Sequence, residues 1–535
     1  MLMAETDAYR RFRAPQEDGQ SLVEPPRATL GDVVKRNREQ LSAIEYDVQG
    51  RTLADLSAKA RRSLVVRAWN YTREYRDVSD RHRAAAANNS PLILSGHQPQ
   101  LFHAGVWYKN FVLGSLAAEV DGAAIHLLID SDLCRSASIR VPAGTVSAPR
   151  LETVAFDLAG EDTPYEERGV YDEAVFGAFA GEVRRGLQSL VADPLVMPLW
   201  SLLPPAQSPS TLGLRIAQAR HRLEETFGND TLELPQSSVC QLPEFHWFVA
   251  HLLAHLPRFQ AAYNGSLAAY RRAHHLRNRA QPVPDLAEIE GWLEAPFWMW
   301  SADDPRRRPV FARQRDDVIE LTDRHCQTIA LTLSADSDAA LAAAELAAAA
   351  ERGVKLRTRA LATTLFARLV LGDLFLHGIG GAKYDQVTDD ISRRFCGFEL
   401  PQYATASATL RLPIAHGANE HDSLSAIKGQ LRELQYHPER FVAGNGAAAP
   451  AAAAIGDKLR TLQITKTPAN ARERHEAISS ANAALQPYVE SRRSALREQR
   501  EQIERRQSVD AILNSREYSF CLFPREHFAQ LLSQA

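Results

Sequence analysis

The spacing of apolar residues changes character near residue 91. From about 31 to 90 they recur every three or four positions, which predicts helix, and the pattern ends in the polar run AAAANNS before Pro91. PLILS (91–95) then reads as a short buried strand and GHQPQLFHAG as a loop. VWYKNFVLGSLAAEV reads as a helix, and AIHLLID (124–130) as a second buried strand. Strand, glycine loop, helix and strand in succession predict a βαβ unit in a parallel sheet.

Residues 151–350 read as a mixed, mainly helical insertion. LETVAFDL suggests an edge strand, stretches around 214–227 and 244–272 are helical, and DAALAAAELAAAAER (338–352) is helix on propensity alone. A second unit follows: an apolar helix over 356–372, a strand at DLFLHG (373–378), a glycine loop at GIGGAKYD, and a helix from about Tyr384 to Phe395. AGNGAAAPAAAAIG (443–456) reads as a linker. Residues 470–508 form a polar helix whose sparse apolar stripe calls for cover, as in a coiled-coil-like arm or homodimer contact. REYSFCLFP (516–524) alternates like a returning strand.

The expected fold class is therefore α/β: a Rossmann-like parallel sheet core with a long helical insertion and a C-terminal helical coiled-coil-like arm. Its segments are a helical lead-in (1–90), the first half of the core (91–150), the insertion (151–350), the second half of the core (351–442), the linker and arm (443–515) and a return segment (516–535).

Composition narrows the field. The 535 residues are 45% hydrophobic and 24% charged, with a net charge of −3, the profile of a globular protein of more than one structural unit. Balanced charge gives no reason to expect nucleic acid or a membrane surface as partner. Arg306-Arg307-Arg308 and Arg492-Arg493 lie among acids and read as solvated faces. No apolar run reaches 18 residues, and MLMAETDAYRRFRAPQEDGQ lacks the apolar stretch of a secretory signal. Five scattered cysteines without a CxxC pair suit reduced thiols and a cytoplasmic location.

Candidate chemistry gathers in two loops. Gly96, His97, Gln98, Pro99, His103, Gly105 and Lys109 lie between a buried strand and the first turns of a helix. Ligands bind at such strand ends in parallel sheets, and free helix N-terminal amides favour anions. A lysine there suits a phosphate, and histidines suit donation or proton movement. Neither a Walker loop nor GxGxxG is present, and His103-Ala104-Gly105 matches three positions of the HIGH signature. The plain alternative is that glycines form the turn, Pro99 stiffens it and histidines cap the helix. Asp130 and Asp132, two apart at the next strand end, suit a divalent metal, a ribose hydroxyl or a substrate amine, or else local capping. Gly378, Gly380 and Gly381, with Lys383, Tyr384 and Asp385, form the second loop, where the glycines suit close approach of the backbone to a ligand and Lys383 suits a phosphate or carboxylate, or else the glycines only make a tight turn. His246, His251 and His255 read as part of an aromatic buried helix, and Cys134 as packing.

Taken together, these loops resemble the cysteine-adding enzyme family of bacillithiol biosynthesis. The stretch GHQPQLFHAGVWYKN (96–110), the acidic Asp130-Ser131-Asp132, and Ile379-Gly380-Gly381 with Tyr384 and Asp385 carry the resemblance, as does the helical region 470–508. His97 stands where the family has glutamine, Ala104-Gly105 replaces a glycine–proline, and the second loop lacks the family's proline–glycine–glutamate. The resemblance implies a carbon–nitrogen ligase joining the carboxylate of cysteine, a small-molecule thiol, to the amine of an amino-sugar such as glucosaminyl malate. ATP or another nucleotide, with Mg2+, would activate the carboxylate. It further implies that the first loop holds the nucleotide phosphates, with His97, His103 and Lys109 stabilising negative charge, and that Asp130 or Asp132 holds an ammonium group or ribose. Two other readings stand beside it: a metal-dependent hydrolase using His97, His103, Asp130 and Asp132, and a non-catalytic binding module.

Overall fold

A computed structural model of the chain describes residues 9–205, 210–414, 421–442 and 448–535. The chain divides into two compact units, one of residues 1–141, 152–413 and 516–535, the other of 142–151 and 414–515.

In the first unit the main strands are, in chain order, β1 (Ser21–Glu24), β2 (Leu92–His97), β3 (Ala123–Leu128), β4 (Leu232–Pro235), β5 (Trp292–Ser301), β6 (Asp304–Arg315), β7 (Val318–Thr322), β8 (Thr328–Thr332), β9 (Val354–Thr358), β10 (Leu374–His377) and β11 (Ala404–Ala408). The helices that position the site are α1 (Leu30–Ala43), α2 (Leu53–Arg73), α3 (Ala104–Glu119), α4 (Leu212–Glu225), α5 (Pro243–Ala254), α6 (Leu256–Ala273), α7 (Ala360–Phe366) and α8 (Ile379–Phe395).

The core sheet has the order β1-β11-β10-β2-β3-β4, parallel from β11 to β4, with β1 antiparallel at the edge. From β2 the chain steps outward to β3 and β4, then returns to the other side of β2 as β10 and β11. The direction of winding thus reverses between β2 and β10. Leu92, Leu94, Ile125, Leu127, Leu232 and Leu234 face one side and join the principal core with α2, α5 and α6. Alternate residues face the other side beneath α3 and α4, as the period-two geometry of strands requires.

Asp373, only 2% exposed, ties β2 to β10 at their amino ends. Its carboxylate accepts from the Leu92 amide at 2.7 Å, from Arg38 at 3.2 Å and from both terminal nitrogens of Arg61, while its own amide donates to the Leu92 carbonyl.

Several expectations need correction. Residues 1–90 are not only helical, because Ser21–Glu24 joins the sheet. The span 151–350 is mixed with helix predominating, as expected, but it is not an insertion into the core. It supplies the core strand β4 and most of an antiparallel sheet of order β8-β7-β6-β5-β9. Helix 244–272 is two helices, because His255 leaves helical geometry before Leu256-Pro257. The span 356–372 opens with the end of β9, and GIGGAKYD is the start of α8 rather than a loop. None of its glycines has positive φ, so nothing forces the backbone out of helix. LETVAFDL pairs only with a neighbouring hairpin strand in a separate two-stranded sheet. Segment 516–524 contains a 3-10 turn and isolated bridges, His103 to Ser519 and Pro194 to Pro524. All five cysteines are free, and among the described residues no helix is long and apolar enough to cross a membrane.

The second unit is helical, with α9 (His421–Tyr436), α10 (Ala449–Gln463) and α11 (Ala471–Leu513), the last about 65 Å long at the standard rise. Its stripe Leu485, Val489 and Leu496 is covered by Ile427 and Leu434 of α9 and by Ala451 and Ala454 of α10. The cover sought for this stripe therefore comes from the chain itself. The expected linker 443–456 is helical from Ala449, while 443–447 lie outside the described residues.

Replacing Asp373 by alanine leaves Arg61, Arg38 and the Leu92 amide without their shared acceptor. The expected loss is about 3–5 kcal/mol of unfolding free energy in urea titration; a loss under about 1 kcal/mol would show that β2 and β10 do not depend on this carboxylate.

Candidate functional site

Parallel strands end with their carbonyls and following helix N-termini on one edge, and ligands gather where the winding reverses. Here that edge carries His97 at the end of β2 with Gln98 after it, Asp130 to Asp132 after β3, Gln236 and Ser237 after β4, and His377 at the end of β10 with Gly378 after it. The two loops read from the sequence therefore lie on adjacent strands at the reversal, with α3 and α8 starting beside them.

The β2 loop is largely closed by its own bonds. His97 Nδ1 donates to the Gln98 carbonyl at 3.0 Å, which leaves Nε2 as the acceptor. Burial and the neighbouring Lys109 push its pKa down to about 3, so the ring is neutral near pH 7 although part of it still meets solvent. His103 caps α3, its Nδ1 accepting from the Gly105 amide at 3.1 Å, and burial lowers its pKa. Any side chain at Gly105 would collide with the carbonyl of Ala408, so this glycine serves close packing of α3 on β11. At Gly96 a Cβ would reach only ordinary contact, 3.4 Å from Ile129 and from the Leu127 carbonyl. Lys109 is 1% exposed, and its Nζ donates to the Gly96 carbonyl at 3.0 Å and to Ser95 Oγ. Burial pushes its pKa down to about 7. It supports the sheet from beneath instead of standing on the loop.

Beneath α3 and α4 a polar row crosses the sheet, Ser95 opposite His126 and His126 opposite Glu233. Lys109 holds one end and Arg220 the other, through Glu233 and Glu224. His126 is 2% exposed, and neither ring nitrogen has a partner among the described residues.

The acidic end of β3 separates into two environments. Asp130 is 1% exposed and accepts from both the amide and hydroxyl of Ser237. Burial, reinforced by the charge of Glu166, raises its pKa. Asp132 is 35% exposed in its side chain; it accepts from Gln98 Nε2 at 2.9 Å and from Arg307 Nη1 at 3.0 Å. Burial raises its pKa, but these bonds outweigh it and hold the group below its ordinary value. Arg307 also donates to the Ser131 carbonyl and stacks on Trp298, as does Arg359. The antiparallel sheet thus reaches the edge: Gln236 accepts from Ser131 and donates to Thr358 and Thr363 at the end of β9 and in α7.

The β10 side is more open. Gly378 is the N-cap of α8 with no side-chain cap, a Cβ there would meet nothing within 4 Å, and Lys383 one turn on is exposed. Gly380 lies beside the Tyr384 hydroxyl, and Gly381 leaves room for the His377 ring, 2.7 Å from where a Cβ would stand. Tyr384 packs at the margin of the core, where burial raises its pKa. Asp385 is buried and accepts from His377 Nε2 at 2.9 Å and Arg368 at 2.7 Å, which outweigh burial and keep it well below the usual carboxylate range. At 1% exposure it ties α8 to β10 through His377 and to the preceding segment through Arg368.

His97, His103, Asp130 and Asp132 do not converge as a metal centre, and no group of three such ligands does so among the described residues. Of the residues at the edge, Arg307, Gln236, Ser237, Glu166 and His377 were not singled out from the sequence. Arg307 was hidden in a basic run read as a solvated face. On a strand its side chain turns inward at 13% exposure, while that of Arg306 stays 66% exposed. No model of a known protein family matches the chain, and neither does any curated protein.

The raised pKa of Asp130 fixes a sign. The folded chain holds this proton more tightly than the unfolded one, so stability falls as pH rises from about 4 toward the folded pKa. In Asp130→Asn, whose carbonyl still accepts from the Ser237 amide and whose NH2 can donate to the Ser237 hydroxyl, the fall between about pH 5 and pH 8 shrinks by about 1.4 kcal/mol for each pK unit removed. Unchanged pH profiles in denaturant titrations would contradict the assignment.

Proposed function

We propose that the edge between β2 and β10 is an active site and that the chain is a carbon–nitrogen ligase, adding cysteine to an amino-sugar of the glucosaminyl malate class. One observation carries this reading: the reversal of winding brings together the two loops that bear the family resemblance. The parallel order, with β2 innermost and β3, β4 on one side and β10, β11 on the other, corresponds to the 3-2-1-4-5 order of Rossmann-like sheets, whose ligands lie at this crevice.

The residues fit a nucleotide better on the β10 side than on the β2 side. Uncapped amides at Gly378, Ile379 and Gly380 and the exposed Lys383 suit phosphate oxygens. His103 already occupies one amide of the α3 terminus. A nucleotide held there would supply activation of the cysteine carboxylate. Asp132, ionised, partly exposed and oriented by Gln98 and Arg307, receives a substrate ammonium. Neutral His97 offers Nε2 to an N–H of the acceptor amine, orienting its lone pair toward the acyl carbon. This differs from charge stabilisation by His97 and Lys109, since one ring is uncharged and the other group is buried. Asp130 and Lys109 position these groups from behind.

Thermal shift with ATP and Mg2+, cysteine and glucosaminyl malate tests the reading, with product detected by mass spectrometry. Ligands at a hundred times their Kd stabilise by about 2.7 kcal/mol. Asp132→Asn removes the cysteine response, Lys383→Ala weakens only the nucleotide response, and His97→Ala lowers turnover by about a hundredfold or more. Absence of both ligand response and product in the wild type would overturn the proposal.

A further inference from the structure

A cavity of about 810 Å3 lies on the outer flank of α8, within the size range of small-molecule sites. Its lining includes Arg368, which precedes β10, and Gln402 and Tyr403, which precede β11, so it opens at the amino ends of these strands and is separate from the edge described above. One wall is the segment at Tyr9 and Arg10. It is fixed by paired hydrogen bonds: the Arg10 amide donates to Gln386 Oε1, and Gln386 Nε2 donates back to the Arg10 carbonyl. Tyr9 packs edge-on against Tyr270 of α6, and Ala269, Arg272 and Ala273 of the same helix line that side.

Five arginines and three acids line the space, a surplus of two positive charges. Most are already committed. Arg368, 3% exposed, spends its terminal nitrogens on Asp385, Asp389 and the Pro401 carbonyl. Asp390 is taken by Arg394 at 2.9 Å and Arg393 at 3.5 Å. Arg272 and Glu399 remain, exposed and without a side-chain partner among the described residues. An uncommitted cation and an uncommitted anion in one cavity, set in a positive surplus, match a ligand that carries both charges with carboxylate in excess.

We propose that this cavity binds a small zwitterion with surplus carboxylate, of the class of a short acidic peptide. Its carboxylates meet Arg272 and the rim formed by Arg393 and Arg394, and its ammonium meets Glu399. The tyrosine rings supply apolar wall for the ligand's backbone.

Calorimetric titration of the full chain with triglutamate, N-acetyl-triglutamate and trilysine tests this. Triglutamate is expected to bind saturably and trilysine not to bind. Arg272→Ala weakens both acidic probes by about tenfold or more, whereas Glu399→Gln weakens only the probe with a free ammonium. Both side chains are exposed, so melting temperatures of the variants should match the wild type. Lack of saturable binding by triglutamate, or unchanged affinity in both variants, would overturn the proposal. So would equal loss of the two acidic probes in Glu399→Gln. Because none of these residues or probes belongs to the β2–β10 edge, the outcome is independent of the ligase reading.

Discussion

The pairing of β2 with β10 rests on the carboxylate of Asp373. These strands are about 280 residues apart in the chain, and no short turn fixes their register. A buried anion that accepts from the Leu92 amide fixes it, and Arg38 of α1 and Arg61 of α2 satisfy its charge. The cations come from the helices that pack on the sheet, so the same bonds that set the strands also set the helices. Burying such a group without partners would cost several kcal/mol; with three donors it becomes a condition on how the elements meet. The candidate site lies at the opposite ends of the same two strands, and its geometry is inherited from this contact.

The two loops at that edge differ in kind despite their similar composition. In the β2 loop, glycine at 105 permits a helix to lie against β11, and histidine closes the helix end. At the end of β10, glycine at 378 caps α8 without a side chain and leaves its first amides uncovered. Glycine is therefore structural in one and accessible in the other, and the difference lies in what faces each missing side chain. Charge divides similarly. Asp132 is oriented at the edge by Arg307, while Asp385 is consumed by Arg368 and His377 behind it.

Much of this was legible in the sequence. β2, α3, β3 and β10 were marked by apolar runs and glycine boundaries, and the alanine-rich helix by propensity. The antiparallel sheet was not, although Val318–Thr322 and Thr328–Thr332 alternate with period two. Trp292–Ser301 of the same sheet is an almost unbroken apolar run, which fits helix and strand equally. β4 was hidden because four residues give no period. Gly380 and Gly381 suggested a loop, yet both lie in the first turn of α8 with ordinary helical φ, Gly381 close against His377. Local bonds decide whether histidine, lysine or aspartate at a strand end faces solvent, and those bonds reach partners as distant as Arg307 and Ser237. No local pattern records them.

The segment 516–528 returns to the start of α3. The Phe520 amide donates to the Phe102 carbonyl, the Phe520 ring stacks on Trp107 at 4.7 Å, and Phe528 meets the same indole edge-on. The helix that opens the candidate site is therefore roofed by residues made more than 400 positions later. On the ribosome, the sheet strands can emerge and collapse through β11 while Trp107 still lacks this cover. Until Phe528 has been made, the Trp107 indole rests on Phe111, Phe227 and Glu224 without its later cover. The crevice beside α3 is therefore completed only after residues far beyond its own loops have been made.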